Sequence, residues 1–402
     1  MVKLLWLQAV TAPCYGLSVV VSSVLQAARR YDFIPRLELG VILGRFVVLY
    51  VGVNAGFDFF HVVATQTAVQ IGMALLPALW VMVRELGYAP RFRGALASDY
   101  KSLLHISFFV FLLQLSVVLA DKVDKIVLGV ALSAPGSPAD PAAAIAVYDV
   151  VSKPFLQVRQ SGWMLAYFVM PAVASLVAAR DVRGLERVKY DGTRLHLSAI
   201  LPVGLLAFVY AAPFLTLWVG DRLEYDAARE APLVRLFLVA AIPLILSVPV
   251  QTGLGMNRVA VVAVSALAGA LVNLPISYVL TQRMGVAGVI WGTVLTTLFS
   301  NLLVPGVYLF RVLEIDPWRF LSRTLAPLAA GGVGLLVVAG VLNLVWPLSP
   351  TPAHGVSPPS RWLPLVIQLS LCCLAYAACY LATPTGRRDA HEILTKLRLR
   401  RS

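Results

Sequence analysis

Eight ionisable side chains lie inside stretches of sequence that are otherwise apolar: Arg45, Asp121, Lys122, Asp124, Lys125, Asp149, Lys153 and Arg159. A charge at the centre of a membrane helix costs roughly 2.5–3.5 kcal/mol on insertion scales. Eight of them must therefore face one another or a hydrated cavity. Two kinds of chemistry suit them. An acid followed four residues later by a base forms a same-face ion pair on a helix, and Asp149 with Lys153 and Asp121 with Lys125 have that spacing. Arg45 and Arg159 have no carboxylate three or four residues away. A guanidinium offers paired donors that match phosphate or carboxylate. Five cations against three acids leave a positive surplus, so a cavity built from all eight favours an anion. Arg45, Arg159 and Lys153 are the candidate substrate-binding residues. Asp149, Asp121, Lys125 and Asp124 are the candidate gating or ion-pair residues. Lys122 and Asp124 fall toward the outer end of their stretch, where a side chain can snorkel to water.

The elements that carry these residues are apolar runs of spanning length. A bilayer core about 30 Å thick takes ~20 apolar residues per helix. Such runs fall near 4–26, 37–55, 60–83, 102–130, 143–178, 196–219, 233–253, 258–281, 285–311, 323–346 and 361–383. They are too long and too uniformly apolar for barrel strands, and only helices or closed barrels satisfy their backbone in lipid. The expected fold class is an all-α polytopic membrane protein of about eleven spans. The whole chain is 59% hydrophobic and 13% charged, which excludes one large soluble helical domain. The fifth run is long, and Pro154 and Gly162 are the expected points of a break or kink. Gly285, Gly288 and Gly292 open the ninth run with a small-residue face for close helix packing.

Cations set the orientation. Those around 29–36, 84–101, 180–194, 258, 311–323 and 387–401 number 22, whereas Lys3, Arg222, Arg229, Arg235, Arg283 and Arg361 form the opposite set of 6. The first set and the C-terminus are thus expected in the cytoplasm, which leaves Met1 outside. A start outside the cell suggests helices missing upstream. The net charge of +13 is then a topology signal and not a mark of nucleic-acid binding. The tail Arg387–Ser402 is expected on the anionic inner leaflet, a matter of electrostatics alone. Cys14, Cys372, Cys373 and Cys379 all lie in apolar runs without metal-ligand spacing, the five histidines form no paired motif, and no cofactor is expected. The first run lacks a small-residue cleavage site, so no cleavable signal peptide is visible.

Four stretches share a resemblance. They are QAARRY from Gln26 to Tyr31, LADKVDKIVLG from Leu119 to Gly129, AVYDVVSKP from Ala146 to Pro154 with MPAVAS from Met170 to Ser175, and the segment from Asn273 to Gly292. In that order they resemble the polysaccharide biosynthesis (oligosaccharide flippase) family of the MATE-like multidrug/oligosaccharidyl-lipid/polysaccharide superfamily. The resemblance implies a two-lobe helical bundle whose first lobe here lacks about three N-terminal helices. It divides the chain into a partial N-terminal lobe (1–101), a C-terminal lobe (102–312), two additional helices (313–386) and a basic cytoplasmic tail (387–402). The implied function is translocation of an undecaprenyl-diphosphate-linked oligosaccharide across the bacterial cytoplasmic membrane. The implied partners are that lipid, membrane lipids, and a polysaccharide polymerase and glycosyltransferases. Arg45 and Arg159 would hold the diphosphate, and Lys153 with Asp149 would gate.

Three other readings compete. A cation-coupled multidrug antiporter of the same superfamily needs acids deep in the first lobe. None stands mid-span in 1–83, since Glu38 is at an end. A membrane enzyme needs catalytic carboxylates or histidines on a sizeable outer loop, and the outer loops 131–142, 220–232 and 347–360 are short. An inactive truncated scaffold is the third.

Overall fold

A computed structural model describes residues 2–28, 30, 33–88, 97–133, 140–220, 227–348 and 358–399. Eighteen α-helices follow one another, and no strand occurs among the described residues. The first are α1 (Val2–Ala27), α2 (Phe33–Asn54) and α3 (Phe59–Trp80), followed by α4 (Ala97–Leu132), α5 (Pro141–Ala166) and α6 (Val169–Ala178). Then come α7 (Val182–Arg187), α8 (Thr193–Val209), α9 (Ala211–Val219), α10 (Ala227–Val239), α11 (Ser247–Gly255) and α12 (Ala260–Met284). The last are α13 (Val286–Thr297), α14 (Val304–Val312), α15 (Pro317–Phe320), α16 (Ala326–Val345), α17 (Pro358–Ala382) and α18 (Pro384–Leu399). Ten described segments are long and apolar enough to cross a membrane. The remaining expected span corresponds to α4, whose 36 residues carry Asp121, Lys122, Asp124 and Lys125 in their second half. The protein is an all-α polytopic membrane protein.

The fifth run does not break where the sequence suggests. Helix α5 passes through both Pro154 and Gly162, and the interruption falls at Tyr167–Phe168. Pro171 explains the place: its ring crowds the carbonyl four residues earlier, that of Tyr167. The same rule puts the break between α8 and α9 at Tyr210, because Pro213 crowds Val209. Gly162 is needed for packing, since a Cβ there would strike the Leu244 side chain. Polar caps start the helices. Asp140 accepts the amide hydrogens of Ala142 (3.0 Å) and Ala143 (3.4 Å), with Pro141 fixing the first turn of α5.

The chain divides into two compact units, 1–100 and 101–402. In the first, Val21, Leu25, Leu75, Ala78, Val81 and Met82 form a small buried core of α1, α3 and the turn after it. Arg30 pairs with Glu85 at 2.5 Å beside the end of that core. Ile42, Phe46 and Val53 of α2 are exposed, as hydrocarbon-facing side chains are.

In the second unit Leu128, Val151, Leu215, Val234, Phe237, Val289 and Ile290 are buried together. Phe237 receives Tyr148 and Phe155 edge-on at 5.8 and 4.5 Å. His196 of α8 joins three elements at the back of this core. Its Nε2 lies 2.8 Å from the Gly162 carbonyl and its Nδ1 3.2 Å from Ser247 Oγ.

Candidate functional site

Helices α4 and α5 run antiparallel, and their charges meet across the seam. Arg159 Nη2 donates to Asp121 Oδ1 at 2.5 Å, and Lys125 pairs with Asp149. The expected pairs within one helix, Asp121 with Lys125 and Asp149 with Lys153, are replaced by pairs between helices. The reason is geometric: a partner on the facing helix is reached by a short, direct approach, while an i,i+4 pair must lie along the helix surface. Arg159 thus has a carboxylate partner, and its guanidinium also lies over the Phe155 ring, 5.3 Å from the centroid. Both ion pairs are partly open, with side chains between 25% and 39% exposed.

Depth follows from the helix rise. Asp149 stands eight residues into α5, or ~12 Å at 1.5 Å per residue. Arg159 is about 27 Å along the same helix, near the middle of the Pro141–Ala178 segment. Both pairs therefore lie within a segment that is long and apolar enough to cross a membrane.

Asp124 departs most from the sequence reading. It does not snorkel; it is 0% exposed. Its Oδ2 accepts the hydroxyls of Tyr148 and Thr293, each at 2.8 Å, and its Oδ1 accepts the Asn273 amide at 3.1 Å. Asn273 is held in turn, its Oδ1 accepting Ser277 Oγ at 2.8 Å and Thr296 Oγ1 at 3.3 Å. Every group that hydrogen-bonds to the Asp124 side chain is neutral. A buried carboxylate without a cation is costly unless hydrogen bonds replace its water, and three donors do so here.

The backbone makes this cluster possible. Gly285, at φ +58°, turns the chain sharply from α12 into α13. Gly288 and Gly292 then let α13 lie against α12, because a Cβ on them would meet the Leu280 backbone and Ser277. Asn273 and Thr293 are brought side by side by that contact. Tyr148, Asn273 and Thr293 escaped sequence reasoning as partners of Asp124. Tyr148 and Asn273 stand inside the family-like segments, but nothing in their spacing ties either to Asp124.

The other candidates are not part of these contacts. Lys153 and Lys122 are exposed, and no carboxylate pairs with either among the described residues. Arg45 belongs to the first unit. Its side chain is exposed halfway along α2, and its carbonyl accepts Gln66 Nε2 at 3.2 Å. No group of three or more His, Cys, Asp or Glu side chains lies together among the described residues. The groups that face Asp124 are two hydroxyls and the amide nitrogen of Asn273, all of them donating to the carboxylate.

A second polar cluster lies on other elements. Arg194 of α8 is 3% exposed and Asp389 of α18 5%. The Arg194 Nε and Nη2 donate to the two Asp389 oxygens at 2.9 and 2.6 Å. Its Nη1 donates to Asp191 Oδ1 and to the Arg323 carbonyl, both at 2.9 Å. The Tyr380 hydroxyl donates to Asp389 as well. Nearby, Lys189 donates to the Leu313 carbonyl, and Arg323 lies over the Tyr190 ring. The sequence reading took Arg194 only as a loop cation and Asp389 only as part of a basic tail. Their 195-residue separation hides the pair.

No family model matches the sequence, and no curated protein does. Among solved structures, the chain is similar to the lipid II flippase MurJ in its inward closed conformation, with a TM-score of 0.57 and 13% sequence identity. The likeness covers 94% of this chain and 74% of that one.

Proposed function

We propose that this membrane protein is a flippase for a lipid-linked oligosaccharide, acting in the bacterial cytoplasmic membrane as a transporter and not as an enzyme. The observation that carries the reading is the track of charge along α4 and α5, in a chain whose fold is similar to a lipid II flippase. An anionic diphosphate head cannot cross hydrocarbon unaided, and partly exposed ion pairs offer it a polar path. Once Asp121 and Asp149 are neutralised by Arg159 and Lys125, the exposed charges among the eight are the cations Arg45, Lys122 and Lys153. Lys122 and Lys153 would offer charge to the head group in the second unit and Arg45 in the first, while an undecaprenyl tail stays in lipid.

Arg159 and Lys125 serve in this reading as exchangeable partners. A diphosphate that competes with Asp121 or Asp149 would open the α4–α5 seam, so that the ion pairs gate the path. Asp124, ringed by neutral donors, is the group whose charge a proton would balance. The cytoplasmic placement of the C-terminus and a role in surface polysaccharide assembly, beside a polymerase and glycosyltransferases, belong to the same proposal.

The direct experiment is reconstitution of the full chain in vesicles with a fluorescent undecaprenyl-diphosphate oligosaccharide, reading the label left accessible to a membrane-impermeant quencher. Wild type is expected to equilibrate the label between leaflets. Lys153→Ala and Arg45→Ala are expected to slow it while remaining in the membrane. Wild-type vesicles that flip no faster than protein-free ones, or variants as fast as wild type, would overturn the reading. If a cationic drug moves down an opposed ion gradient and the lipid does not, the antiporter is the better description.

A further inference from the structure

We propose that α18 is a docking element for an anionic phospholipid surface, set in place by the Arg194–Asp389 latch. The inference stands apart from the flippase reading and rests on the end of the chain alone.

Thr383 is the one residue between α17 and α18, so α18 begins where the last span ends. Its position there is fixed from three sides. Thr383 Oγ1 accepts the Gly386 amide at 3.0 Å and donates to the Tyr380 carbonyl at 2.7 Å. Gly386 lies so close to the Tyr380 carbonyl that a Cβ would collide with it. One turn on, Asp389 is held by the buried guanidinium of Arg194 and by the Tyr380 hydroxyl. A bidentate, fully enclosed pair leaves little freedom to the helix that carries it.

The latch also sorts charge. Asp389 is consumed inward, facing Arg194, and contributes little negative field outward. The acid that remains on α18 is Glu392, against Arg387, Arg388, Lys396 and Arg398. Arg387, His391 and Leu394 follow i, i+4, i+7 spacing and share one flank, and all three are exposed. Leu394 is 57% exposed. An exposed leucine beside arginines, on a helix that starts at a membrane boundary, is the chemistry of an interfacial helix. Arg387 Nη2 also reaches the Ala382 carbonyl at 3.3 Å, which keeps that guanidinium at the level where the span ends. Positive flank and apolar insert complement an anionic headgroup layer.

The test uses the full chain in nanodiscs of phosphatidylcholine, with or without phosphatidylglycerol, and follows amide hydrogen exchange over 384–399. Phosphatidylglycerol is expected to slow exchange. Each arginine removed in Arg387→Gln and in Arg387→Gln with Arg388→Gln is expected to cost about fivefold of that protection. Neither residue belongs to the latch, so the variants keep the fold. High salt is expected to erase the difference between the two lipids. Equal exchange in both lipids would overturn the proposal, as would protection unchanged in the double variant. Protection produced equally by inorganic phosphate, or only by added cytoplasmic extract, would overturn it in favour of a free anion or a protein.

Discussion

Asp124 and Asp389 are both carboxylates withdrawn from solvent in the same helical unit, yet their surroundings are opposites. Asp389 meets a guanidinium on both oxygens and a tyrosine hydroxyl besides. Asp124 meets a tyrosine, a threonine and an asparagine, all neutral. The first is electrically closed: a pair whose desolvation is offset by its partner and which nothing small could enter without breaking it. The second is satisfied in hydrogen bonds but not in charge. In the proposed reading, the first kind of site holds structure and the second allows a change of state. Between these extremes lie the α4–α5 pairs, balanced in charge but a quarter to two-fifths exposed.

The contrast can be broken most sharply at the latch. Replacing Arg194 by Ala strands Asp389 and Asp191 near one another without a cation, and removing one partner of a buried pair costs about 3–5 kcal/mol. The expected outcome is a thermal midpoint so lowered in detergent that little folded protein is recovered. A midpoint close to wild type would mean that water reaches the pair.

Asp124→Asn should do the reverse. Tyr148 and Thr293 can donate to the new amide oxygen and an uncompensated charge is removed, while the new amide nitrogen is set against that of Asn273, which offsets part of the gain. The midpoint is expected to stay within about 1 kcal/mol of wild type or to rise. Flipping, read by quenching in vesicles, is expected to fall by about tenfold or more, equivalent to some 1.4 kcal/mol of coupling lost. A variant that flips normally would make the cluster a structural device like the latch.

A double-mutant cycle on Asp121→Asn and Arg159→Gln measures the intermediate case. Partly exposed pairs are screened, so their coupling in stability should be about 1 kcal/mol or less. A coupling several times larger would show that the seam closes to water in the folded state. Lys153→Ala should have the smallest effect on stability, within about 0.5 kcal/mol, while flipping falls. That separation of stability from transport is what an exposed, unpaired cation should give.

The spans were legible because hydrophobic length is a local property. All but a few residues of each apolar run lie in helices, and the eight internal charges were found by their misfit alone. Their partners were not legible. Lys125 pairs with Asp149 across 24 residues and Arg194 with Asp389 across 195, and a single sequence carries no signal at such distances. The i,i+4 rule gave the wrong partners for Asp121 and Asp149 because it sees one helix at a time. Asp124 was misplaced for a related reason. Position near a helix end argues for snorkelling, but Gly285, Gly288 and Gly292 bring α12 and α13 to it with donors already in place. The glycines were visible in the sequence, as was their packing role; what they pack was not.

The crossed ion pairs bear on how the chain is made. During synthesis α4 leaves the ribosome before α5, carrying Asp121, Asp124 and Lys125 while their mates, among them Asp149 and Arg159, are still untranslated. Released by itself into lipid, it would lose up to about 2.5–3.5 kcal/mol for each charge, the full amount applying at the helix centre. Only eight residues, 133–140, separate the two helices. The favourable course is for α4 to linger at the insertion channel until α5 arrives, so that the two enter the bilayer as one hairpin with their charges already joined.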